Sequence, residues 1–151
     1  MSGTPRQPLE AAYRATRYTV DTTTGTCVLR VDVHSPALAA LLAAQGVSEA
    51  SYLTASNPGS RRVGVAANAA ATARLERRLA VASRSLLRGQ AIDPEGLWPP
   101  EGSFLALGIP AAVAVALGRE FGQNAILLID REAIPRLRWL RASDLGPEPE
   151  A

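Results

Sequence analysis

The side chains able to do chemistry fall in three short polar stretches. The first runs Thr54-Ala55-Ser56-Asn57-Pro58-Gly59-Ser60 and continues into Arg61 and Arg62. It is a strand end, a dense Pro/Gly turn and then a helix start. Such turns expose backbone N–H groups, and a helix N-terminus carries partial positive charge. Arg61 and Arg62 would add cationic donors, so this corner suits a carboxylate or phosphate. The plainer reading is that Asn57 and Ser60 build the turn and cap the helix. Asn68 follows eleven residues after Asn57, on the helix stripe that should face the sheet. A buried amide left unpaired costs about 1–3 kcal/mol, so Asn68 must meet either the Asn57 loop or a ligand.

The second stretch is Trp98-Pro99-Pro100-Glu101-Gly102-Ser103. Its prolines stiffen the approach to a strand and fix where Glu101 points. Trp98 offers a flat stacking surface. Glu101 would accept from a ligand, or act as a general base if partly buried. The alternative is a rigid loop in which Trp98 covers the core and Glu101 pairs with an arginine. The third stretch, Phe121-Gly122-Gln123-Asn124-Ala125, is a helix stop followed by two amides at a strand start.

Other chemistry is poorly represented. There is no P-loop, no Gly-rich dinucleotide fingerprint and no nucleophile elbow. The chain has no lysine, so Schiff-base chemistry through lysine is excluded. One His and one Cys make no N/S metal site, and no metal or cofactor is expected. Asp32 and His34 form a conceivable dyad without a nucleophile; a wet strand-end histidine explains them. Cys27 reads as a small apolar strand residue.

These stretches need elements to position them. Tyr18–Val20 and Cys27–Val33 flank a Thr-rich turn and read as an N-terminal β-hairpin, with Val31 and Val33 inward. Ser35-Pro36 starts a helix that Gly46 ends. A strand covers 50–55. A helix spans about 64–82, its core stripe Thr72, Leu75, Leu79 and Ala82. Strands follow at 86–92 and 103–109. A helix from Pro110 packs through Val113, Leu117 and Phe121. The last strands, 124–129 and 136–140, form a C-terminal hairpin. Together they predict α/β, with α+β as the alternative: one mixed sheet and about three helices. Residues 1–12 read as a flexible leader, 13–141 as one globular domain and 142–151 as a flexible tail.

Composition sets the outer limits. The 151 residues are 47% hydrophobic and carry a formal charge of +2, too apolar and too weakly charged for a disordered chain. All 16 basic residues are arginines and 28 residues are alanine, a pattern that GC-rich coding explains. Arg74, Arg77 and Arg78 share a helix surface, but Glu76 interrupts it, and nucleic acid is not an expected partner. No segment spans a bilayer, and a lone cysteine suits a reducing compartment, so a cytoplasmic protein is expected.

The order T-A-S-N-P, W-P-P-E-G-S, F-G-Q-N-A, with Asn68 eleven residues after Asn57, resembles the bacterial family catalogued as domain of unknown function 3293. The resemblance covers about residues 17 to 130. Thr54, Asn57, Pro58, Asn68, Trp98, Glu101, Ser103, Gly122 and Gln123 match its pattern. The residue before the second Asn is commonly acidic in that family, whereas this chain has Ala67. The resemblance names no substrate. It implies that the three polar stretches belong together on one fold.

The expectation is therefore a cleft at strand ends that binds a small polar or anionic ligand, nucleotide-like ones included. Asn57, Asn68, Trp98, Ser103 and Gln123 would line it, with Arg61 and Arg62 at the rim. Two rivals stand beside it. One is a hydrolase or transferase with Glu101 as general base. The other is an interaction module without a small-molecule site, with Arg136–Leu140 as a homodimer edge anchored by Trp139.

Overall fold

The structure, a computed structural model, describes residues 6–57 and 63–140. Seven strands form one sheet in the order β2-β1-β4-β5-β3-β6-β7. They are β1 (Arg17–Thr22), β2 (Gly25–Leu29), β3 (Ala50–Thr54), β4 (Ser85–Ile92), β5 (Glu101–Leu107), β6 (Ala125–Ile129) and β7 (Arg136–Trp139). The four helices are α1 (Arg6–Ala15), α2 (Pro36–Gln45), α3 (Val65–Ala82) and α4 (Ala111–Glu120). The α/β class and both hairpins stand as read from the sequence. Each pair of neighbouring strands is antiparallel, so the single sheet is antiparallel throughout and not mixed. No helix among the described residues is long and apolar enough to cross a membrane.

Local chemistry sets the element ends. The Ser35 hydroxyl accepts from Leu38 N–H and Pro36 opens α2, while Gly46 at φ 64° closes it in the left-handed conformation. The fourth helix, α1, occupies most of the stretch read as a leader. Its Leu9 and Tyr13 fall four apart on one face and dock on Trp139 and Ala125.

Helices cover both faces of the sheet. Leu38 and Leu42 of α2 bury against Val20, Tyr52, Leu105 and Leu127. On the other face Leu75 and Leu79 of α3, with Leu117 of α4, bury against Leu53, Phe104 and Ile126. The predicted α3 stripe is therefore the packed one. In α4 the buried residues are Ala114, Leu117 and Gly118, and Val113 is exposed instead of packed. Gly118 lets Ile126 and Leu140 approach closely, which turns that side of α4 inward.

Two further expectations are corrected. Val33 is exposed, because β2 ends at Leu29 and Asp32 takes a left-handed φ of 64° that breaks the alternation. Trp139 is not an exposed anchor for a dimer. It is buried, with its ring edge-on to Tyr13 at 5.6 Å between centroids.

Candidate functional site

The three polar stretches meet at one end of the sheet. β3 ends at Thr54 and β5 begins at Glu101, with Thr54 opposite Ser103. The loop after β3 carries Asn57, and Gln123 precedes β6, which pairs with β3. Trp98 sits on the connection from β4 to β5.

Asn57 is the hub. Its φ of 48° is left-handed, a conformation asparagine tolerates better than most residues. Its backbone N–H donates to Asn68 Oδ1 at 2.8 Å, and Asn68 Nδ2 donates back to Asn57 Oδ1 at 3.0 Å. Val63 N–H also donates to Asn57 Oδ1, at 3.1 Å. Asn57 Nδ2 donates to Glu101 Oε2 at 2.6 Å. Of the two partners the sequence offered Asn68, it is the Asn57 loop that satisfies it.

Glu101 is half-buried. Burial pushes its carboxyl above the usual glutamate range, and the bond from Asn57 opposes that shift. It makes no ion pair among the described residues, unlike Glu76 with Arg88 or Glu120 with Arg78. Ser103 is buried and its hydroxyl donates to Glu101 O at 2.9 Å. Gln123, also buried, donates through Nε2 to Ser56 O at 3.1 Å and more weakly to Phe121 O.

A pocket of ≈ 110 Å³ opens between this polar end and α1. Glu101, Asn57, Ser103, Gln123 and Trp98 all line it. Its other wall is aromatic, from Tyr13, Tyr18 and Tyr52. The Tyr18 and Tyr52 rings meet edge-on at 5.3 Å. Burial, above all, raises both phenols, so they keep their protons. On the α3 side a wider groove of ≈ 540 Å³ touches Asn57, Asn68, Glu101 and the Glu76–Arg88 pair. The Asn57–Glu101 contact thus forms part of the wall of both spaces.

Sequence reasoning thus located Asn57, Asn68, Trp98, Glu101, Ser103 and Gln123 together. Arg61 and Arg62 lie outside the described residues. The three tyrosines were missed. Tyr18 and Tyr52 sit on strands as inward hydroxyl-bearing rings, a signal that a period-2 reading contains; Tyr13 lay in the supposed leader. The Asp32–His34 dyad does not form. His34 Nδ1 bonds Glu132 O at 2.8 Å and Asp32 pairs with Arg14. Arg74 lies over the Phe121 ring, 5.8 Å from its centre.

The model of the family described as Protein of unknown function (DUF3293) matches residues 53–126. Over these residues the chain belongs to that family. The DUF3293 region begins inside β3 and ends inside β6. It therefore holds Asn57, Asn68, Trp98, Glu101 and Gln123, while Tyr13, Tyr18 and Tyr52 fall outside it. Neither the curated proteins nor the solved structures hold a match to the chain.

Proposed function

We propose that this DUF3293 chain binds a small organic molecule in the pocket under α1. Glu101 and Gln123 would hold its polar end, and Trp98 with the tyrosines would hold its body. The observation that carries this reading is the half-buried Glu101 carboxyl. It lines an open pocket, and no arginine neutralises it among the described residues. Pockets of this make-up, mostly apolar with a few convergent polar groups, are the usual form of small-ligand sites. The anionic version of the expectation drew on Arg61 and Arg62, and nothing in the described pocket adds to it.

A thermal-shift screen with single-ring fragments tests the reading. Ala12 lines the pocket from the exposed side of α1, so Ala12→Phe would plug it without touching the polar end. Fragments should raise the melting temperature of the wild type and lose that effect in the plugged variant. A silent screen, or hits unchanged by the plug, would overturn it.

A second reading has support from the same carboxyl. A glutamate with a raised pKa beside a cavity suits a general base that activates water, in a hydrolase or transferase. Glu101→Gln would then abolish turnover of any substrate found while sparing its binding. A variant that turns substrate over at the wild-type rate contradicts that role.

A further inference from the structure

The hydrogen-bond polarity of the pocket restricts what it can hold. Several of its hydroxyl and amide donors are directed at backbone carbonyls, and Asn57 Nδ2 is held by Glu101 Oε2. Tyr18 donates to Tyr13 O at 3.1 Å and Tyr52 to Thr19 O at 2.8 Å. Thr54 donates to Gly102 O at 2.9 Å, and Ser103 and Gln123 donate to Glu101 O and Ser56 O. Beside these engaged donors, two acceptor oxygens on the pocket wall have no donor among the described residues. Glu101 Oε1 has no partner among the described residues, since Asn57 takes Oε2. Gln123 is 94% buried by its 6% exposure, and two carbonyls fix its Nε2, which sets Oε1 on the opposite side of the amide. That oxygen accepts from no described group. A buried acceptor without a donor is costly, so a donating ligand would be favoured there.

Charge points the same way. The chain has 16 arginines, yet among the described residues none lines this pocket, while the carboxylates of Asp93 and Glu101 do. Asp93 serves its own loop, accepting from Glu95 N–H and Leu97 N–H. Glu101 is the carboxylate left to a ligand. The volume of ≈ 110 Å³ sets the size. A cavity of about 150 Å³ encloses a benzene ring, so this pocket is too small to enclose one fully and takes at most one ring, standing partly in the open mouth.

We infer that the pocket takes a single-ring nitrogen base that donates N–H bonds to Glu101, an amidine or amino-heterocycle, and discriminates against anions. This rests on the reading of the pocket as a ligand site. The planar donor edge would meet Glu101 Oε1, with Gln123 Oε1 as a second acceptor. The ring would lie among Trp98, Tyr18 and Tyr52, whose π-faces also favour a cation.

Calorimetric titration of the full chain with benzamidine and with benzoate tests it, because the two share a ring and differ in hydrogen-bond polarity. Benzamidine should bind at least about tenfold tighter than benzoate, the size of one charge-assisted bond. Glu101→Gln should reduce benzamidine affinity by about tenfold or more, and Ala12→Phe should remove it. Benzoate binding equally well or better would overturn the polarity inference and leave the pocket reading intact. Failure of benzamidine to bind the wild type overturns the inference even if other fragments bind. Benzamidine affinity unchanged in Glu101→Gln overturns the assignment of Glu101. The wild-type comparison stands on its own if a variant fails to fold.

Discussion

Asn57 Nδ2 donates to Glu101 Oε2 across 2.6 Å, joining residues 44 positions apart in the loop after β3 and at the start of β5. The same side chain accepts from Val63 N–H and Asn68 Nδ2. Asn57→Ala removes all three bonds and leaves alanine at a left-handed φ. A destabilisation of about 2–4 kcal/mol in urea unfolding is expected, from unsatisfied groups plus backbone strain. Asn57→Gly relieves the strain alone and should recover part of it. A cost below about 0.5 kcal/mol, the level of a plain surface change, would contradict the hub role.

Glu101 makes stability depend on pH in a defined direction. Burial raises its folded-state pKa, so the native chain holds this proton more tightly than the unfolded chain. Its contribution favours folding at low pH. That contribution is lost as pH climbs from the ordinary glutamate value through the raised one. Asp93 and the phenols of Tyr18 and Tyr52 also line the pocket; the phenols stay neutral over this range. Glu101→Gln keeps an oxygen for Asn57 and cannot ionise. Its melting temperature should match the wild type near pH 4 and exceed it at pH 7. An equal offset at both pH values would show that ionisation is not the cause.

Gly89 allows the close approach of β1 to β4. A Cβ there would stand 1.7 Å from Thr19 O and 3.0 Å from the Tyr52 hydroxyl that bonds the same carbonyl. The carbonyl belongs to the backbone, so the strand itself must move. Gly89→Ala is expected to cost about 1–3 kcal/mol or more in denaturant unfolding. A variant as stable as the wild type would mean that β1 relocates freely.

Tyr13 holds α1 against the sheet through its edge contact with buried Trp139. Tyr13→Ala should cost about 1–3 kcal/mol and let water reach Trp139, giving a red shift in fluorescence. It also removes one pocket wall, so fragment binding should weaken. Unchanged emission would mean that α1 does not depend on this ring.

The sequence carried the central half of this picture because local chemistry writes it. Ser35-Pro36 and Gly46 mark α2, the Leu75–Leu79 spacing marks the inner side of α3, and turn residues mark the ends of β3 and β5. Strand ends attract polar side chains, which is why Asn57, Glu101 and Gln123 stood out. What was not legible was long-range. The pairing of Tyr18 with Tyr52 depends on β1 and β3 sharing a face across two intervening strands. The role of α1 depends on a partner, Trp139, at the far end of the chain. Pro5 and Pro8 suggested a leader, yet Pro8 falls in the first turn of α1, where a missing N–H costs nothing. Val113 looked apolar enough to pack, and only the small residues Ala114 and Gly118 decide which side of α4 turns inward.

The most direct test of the account is amide and indole chemical-shift mapping of the labelled full chain as benzamidine is added. The account predicts saturable shifts at the Asn57 and Gln123 side-chain amides, the Glu101 backbone and the Trp98 indole, with those of Arg78 and Glu120 unmoved. Shifts confined to the opposite face of the sheet, or none at saturating ligand, would contradict it.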